Sequence, residues 1–131
     1  MMRTLPSFAL VICLFGAVPA SMAQTGKPST ELSVDAFKSA VAAGKARLVD
    51  VRTPAEYAAG HLQGSINIDW TADDFEAGFA KLDKNMPVLL YCHSGGRSEQ
   101  ALEYLLEHGY QAQHMVGGFS AWKKAGYPSV K

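Results

Sequence analysis

Apolar positions from residue 31 onward alternate between two rhythms, short unbroken runs and stripes at helical spacing. Val34, Phe37, Ala40 and Val41 share one face of a helix over roughly Val34 to Ala43. Ser33 is placed as its cap, Asp35 lies in its first turn and Gly44 stops it. The run Arg47-Leu48-Val49-Asp50-Val51 then reads as a strand covered on both faces. Thr53-Pro54-Ala55-Glu56 opens the next helix as a capping box, with Pro54 at the first helical position. Gly60 to Gly64 forms a loop, Ser65 to Ile68 a brief strand, and Thr71 to about Leu82 a second capped helix.

Val88-Leu89-Leu90-Tyr91 is the most apolar run after the leader, too short for a helix, and is expected as the central strand. Ala101, Leu102, Leu105 and Leu106 mark a helix from Ser98 to His108, and Gly109 is positioned as its carboxyl cap. His114-Met115-Val116 reads as a last strand, Gly117-Gly118 as a turn, and Phe119 to Lys124 as a short helix stopped by Gly126. Strand and helix alternate throughout. This predicts an α/β sandwich with a mainly parallel sheet and a ligand site at the carboxyl ends of its strands. Cys92 falls at such an end.

The first 23 residues do not fit that alternation. Arg3, the apolar stretch Phe8 to Val18, and the small residues Ser21 and Ala23 read as a secretory signal, with the mature chain starting at Gln24. An uncleaved anchor is the rival, but the stretch is well short of the ~20 residues a span needs. The expectation is therefore an exported, periplasmic or secreted protein with no stable membrane insertion after cleavage. Residues 24–30, with Gly26, Pro28 and Ser29, read as a linker ahead of a single domain over 31–131. Loss of Arg3 leaves 11 basic against 12 acidic residues of the 12 and 12 in the full chain, scattered rather than striped, which argues against nucleic acid as a partner.

Cysteine usage changes the picture most. Cys13 leaves with the signal, so the mature chain keeps Cys92 alone, where exported small domains commonly pair their cysteines. An inert buried thiol is the plain alternative. Against it stands the sequence Cys92-His93-Ser94-Gly95-Gly96-Arg97-Ser98 between a strand and a helix start. Gly95 and Gly96 permit positive φ, so successive amides can turn inward, Ser94 and Ser98 offer hydroxyls, and Arg97 adds a permanent charge suited to an oxyanion. Such surroundings favour thiolate over thiol, lowering a cysteine pKa into the range ~3.5 to 7.5. Cys92 is thus the candidate nucleophile, and residues 93–98 the candidate anion-binding loop.

These residues, taken with Leu48-Val49-Asp50-Val51-Arg52, Glu56-Tyr57, Gly60-His61, Gly64, Asn67-Ile68, Gly117-Gly118-Phe119 and Trp122, resemble a single-domain rhodanese of the exported type. The resemblance implies a rhodanese-like three-layer sandwich with a five-stranded, mainly parallel sheet flanked by helices. It implies a sulfurtransferase in which the Cys92 thiolate takes sulfane sulfur from thiosulfate or a related small anion and passes it, as a persulfide, to cyanide or a thiol. No cofactor is implied. Two-domain thiosulfate enzymes of the family carry an arginine aligned with Glu56, so the acid here implies weak affinity for thiosulfate.

Two other readings stay open, a sulfur carrier without turnover and a cysteine phosphatase or arsenate reductase. Those phosphatases and reductases place five residues between cysteine and arginine, whereas four intervene here. Asp50, Arg52 and Glu56 are read as structural, through the capping box and a local ion pair with Arg52. His61 is expected to hold backbone. His93 either tunes the thiolate or meets the acceptor, or else faces solvent as a spectator. Phe119 and Trp122 are read as core residues, and the four histidines lack the paired spacing of a metal site.

Overall fold

The computed structural model describes residues 29–131 and, ahead of them, Gly16 alone, so the signal sequence and most of the expected linker lie outside the described residues. The strands are β1 (Glu31–Leu32), β2 (Arg47–Asp50), β3 (Ile66–Asn67), β4 (Val88–Tyr91) and β5 (Ala112–Met115). The helices are α1 (Val34–Ala42), α2 (Pro54–Ala59), α3 (Phe75–Ala80), α4 (Gly96–Glu107) and α5 (Gly118–Lys124). The sheet order is β1-β5-β4-β2-β3, with all four pairings parallel, and β4 is central as its apolar run predicts.

Period-two alternation sorts the strand side chains between two layers of helix. Val49, Leu90 and Ala112 pack with Phe79 of α3 and Ala101, Leu102 and Leu105 of α4. Leu48, Leu89, Tyr91 and Met115 pack on the other face with Phe37 of α1 and Phe119 and Trp122 of α5. The result is the expected three-layer sandwich. Both Phe119 and Trp122 are buried, in keeping with a core role.

Helix starts follow their caps. Ser33 accepts from the Ala36 amide at 3.1 Å, and Thr53 and Glu56 complete the reciprocal capping box. The segment expected as a helix from Thr71 to Leu82 is shorter, because the Asp69 carboxylate takes both the Thr71 amide (2.9 Å) and its hydroxyl (2.7 Å). Thr71 thus closes a turn instead of capping a helix, and α3 begins only at Phe75. The last strand likewise begins two residues before His114, at Ala112. β1, too short to show any periodicity, pairs with β5, and the Thr30 carbonyl ahead of it accepts from the His114 amide at 2.9 Å. At the other end of the chain, Val130 bridges antiparallel to His61.

Candidate active site

The carboxyl ends of β2 and β4 lie side by side, with Asp50 in register with Tyr91, so the segments leaving the two strands emerge on the same side of the sheet. After β2 the chain places a buried charge pair. Arg52 donates through Nε and its terminal nitrogen to the Asp50 carboxylate at 2.7 to 3.1 Å and to the Gly60 carbonyl at 2.6 Å. Its guanidinium also lies 4.3 Å from the Phe119 ring centre. Burial works against this cation, but the Asp50 carboxylate outweighs it and holds the guanidinium above its ordinary pKa. Arg52 therefore has the structural role and the local acid partner read from its sequence. His61 also holds backbone: its Nδ1 sits 2.8 Å from the Tyr57 carbonyl, and its ring stacks on Tyr57.

After β4 the chain places Cys92, 1 % exposed, and turns directly into α4. Gly95 sits at φ +111°, a value that side chains rarely adopt, and this turn brings its amide within 3.0 Å of Cys92 Sγ. Gly96 does not share that conformation. It is the first residue of α4, which starts two residues ahead of Ser98, so one left-handed glycine is enough to make the cradle. Burial pushes the Cys92 thiol up and is the largest single influence on it. The Ser98 hydroxyl and the amides of Ser98, Gly95 and Ser94 together outweigh burial, leaving the thiol below its ordinary pKa.

The side chains of the loop differ in what they can offer a ligand. Ser98 is fully buried, with Oγ donating to the Gly95 carbonyl at 3.1 Å and lying 2.9 Å from His114 Nδ1, so it acts from beneath the loop. His93 and Ser94 are exposed. Arg97 is not a free charge: its two terminal nitrogens donate to Glu56 Oε2 at 2.8 Å and Oε1 at 2.9 Å. Arg97 first, with Thr53 helping, holds the Glu56 carboxyl at about 2, well below its usual 4.5. The capping box is present as read, but the same carboxylate also serves α4 across 41 positions of sequence.

Three contributors escape a reading by sequence neighbourhood. The amides of Phe119 and Ser120 donate to the carbonyls of Cys92 and His93 at 2.8 and 3.0 Å, so the start of α5 ties down the base of the loop. This contact needs Gly118, at φ +62°, because a Cβ there would lie 2.6 Å from the Cys92 carbonyl oxygen and 2.5 Å from that of His93. The glycine pair does more than turn the chain, and its spacing from Cys92 gives no local sign of it. His114, buried beside Ser98, is the third. An imidazole at a strand position that alternates with the half-buried Gln113, and so points to a covered face, is the signal that could have found it.

Beside the loop opens a cleft of about 370 Å³, lined among others by Arg52, Glu56, Gly60, His93, Phe119 and Lys123. His93 stands on its rim and is the loop residue that meets anything bound there. Cys92 does not line the cleft.

Comparison with known proteins extends this geometry. A family model for the rhodanese-like domain matches residues 33–125. Among solved structures, a rhodanese-related protein from Thermoplasma volcanium is 25% identical with a TM-score of 0.71, covering 78% of this chain and 98% of its own. A rhodanese-like domain protein from Staphylococcus aureus is 29% identical with a TM-score of 0.65, covering 72% and 91%. A protein from Saccharomyces cerevisiae, 28% identical, has a TM-score of 0.65 and covers 76% and 95%. The match runs from the cap of α1 through α5 and takes in the whole cysteine loop, and on that ground the chain belongs to the rhodanese-like family, whose fold is of the sulfurtransferase type.

Proposed function

We propose that the protein is a sulfurtransferase that carries sulfane sulfur on Cys92. The observation that carries the proposal is the buried Cys92 thiol, the one cysteine among the described residues, held below its ordinary pKa by the amides and hydroxyl of the loop at the end of the central strand. In the first half-reaction the Cys92 thiolate attacks the outer sulfur of thiosulfate, or the sulfane sulfur of a related donor. The S–S bond to the departing group breaks with its electron pair, and sulfite or the corresponding anion leaves. Cys92 then bears a persulfide, whose negative charge faces the same inward amides. In the second half-reaction cyanide or a thiol attacks the outer sulfur and the Cys92 thiolate is returned, a two-step exchange with ping-pong kinetics. Arg97 and residues 93–98 serve as the anion-binding loop, and no cofactor takes part. The reading includes export to the periplasm or the medium, supported by the pattern of residues 1–23.

The pairing of Arg97 with Glu56 favours a second reading within the same chemistry, a carrier that loads one sulfur and turns over slowly. A guanidinium already held by a carboxylate has less to offer a dianionic donor. The test is intact mass after incubation with thiosulfate. The proposal expects one added sulfur that cyanide removes, in the wild type and not in Cys92→Ser, and it fails if neither protein gains mass. Steady thiocyanate production then separates enzyme from carrier. Cys92-dependent hydrolysis of an aryl phosphate without sulfur uptake would support a phosphatase instead.

A further inference from the structure

Among the described residues, one buried side-chain polar atom has no hydrogen-bond partner, Nε2 of His114. The ring is 3 % exposed at the end of β5, and its other nitrogen lies 2.9 Å from Ser98 Oγ. The same hydroxyl lies 3.1 Å from the Gly95 carbonyl and favours the Cys92 thiolate. A serine has one proton to give, and three acceptors stand around it: His114 Nδ1 if unprotonated, the Gly95 carbonyl, and the sulfur.

The orphaned nitrogen decides among them. If Nε2 carried the ring proton, a buried N–H would have no acceptor, a situation folded proteins rarely tolerate, and Nδ1 would draw the Ser98 proton away from the loop. With the proton on Nδ1, the ring donates to Ser98 Oγ, and the hydroxyl proton stays available to the loop. Burial also keeps the imidazole neutral by lowering its pKa, against the raising influence of Glu31 on β1 and Glu99 on α4, while Leu90 faces it from β4.

We propose that His114 is a positioning residue for Cys92, acting as a neutral Nδ1–H donor that fixes Ser98 Oγ so that its proton swings from the Gly95 carbonyl to the sulfur when the thiolate forms. The proposal rests on Cys92 being the reacting thiol, and it holds whether or not thiosulfate is a donor.

Its test is the pH profile of Cys92 alkylation by iodoacetamide, which requires no sulfur donor and so is separable from failure of sulfur transfer. Ser98→Ala and His114→Phe should each move the profile to higher pH and slow alkylation at pH 7 by about tenfold, the worth of one hydrogen bond to a charged group. The double variant should be no slower than either single variant. His114→Asn, whose amide can donate to Ser98, should keep the wild-type profile. A profile that moves in Ser98→Ala but not in His114→Phe overturns the proposal, as do additive effects. The ring tautomer, read in the wild-type protein from imidazole ¹⁵N shifts, gives an answer even if the phenylalanine variant does not fold. A proton on Nδ1 supports the proposal, and one on Nε2 overturns it.

Discussion

Two guanidiniums stand just beyond two adjacent strands, and each grips a carboxylate at 2.7 to 2.8 Å, yet they serve different ends. Arg52 and Asp50 are 3 % and 0 % exposed, braced further by a backbone carbonyl and an aromatic ring. Arg97, in the cysteine loop, and Glu56, which lines the cleft, are 27 % and 34 % exposed. Distance does not separate them, but water does. A buried pair cannot part without stranding a charge, whereas an exposed pair exchanges partners at small cost. The first pair is therefore a fixed brace beside the site, and the second is adjustable.

Removing one cation from each pair puts this contrast under the greatest load. Arg52→Leu should destabilise the domain by about 3–5 kcal/mol in urea unfolding, because it leaves the Asp50 carboxylate buried and unpaired. A loss below about 1 kcal/mol would make the two pairs equivalent. Arg97→Ala should cost less than about 1 kcal/mol in the same measurement. Its effect should appear in rate, with sulfur loading from thiosulfate slowed about tenfold as a charged donor is lost from the loop. Glu56→Gln should act oppositely and speed loading, since it frees Arg97 for the donor anion. Equal rates in all three proteins, followed by intact mass over time, would remove the pair from the chemistry.

The smallest effect concerns acid. The Glu56 carboxyl lies near 2 in the folded chain against an ordinary 4.5, so the unfolded chain binds the proton first. The contribution of the pair is complete above about 4.5 and is lost as pH falls toward about 2. Because both partners are partly exposed, the stability gap between wild type and Glu56→Gln should be below about 1 kcal/mol at neutral pH and close over that window. A gap that does not narrow on acidification would contradict the bridge.

How much of this could be read from the chain depends on the range of the cause. Val88 to Tyr91 announces a central strand because a run that is apolar on both faces has no other comfortable place. Thr53 and Glu56 announce their capping box because the bonds close within four residues. The loop from Cys92 to Ser98 is legible for the same reason, as glycine, thiol and helix start are neighbours. The Arg97 pairing is not legible, since its carboxylate is already accounted for by the cap of α2. Nor is the fit of Gly118 against Cys92, or the contact of His114 with Ser98, because the sheet and not the local sequence brings them together. The short α3 shows a local signal misread: Thr71 has the residue type of a cap, but Asp69 two positions earlier captures it.

The anchoring of the Cys92 and His93 carbonyls by the start of α5 has a consequence for how the site can work. A loop whose backbone is gripped by the strand before it, the helix after it and a second helix from elsewhere in the chain is positioned by the tertiary fold as much as by its own turn. A change at the start of α5 is therefore transmitted to the backbone around the thiol, although the two lie far apart along the chain.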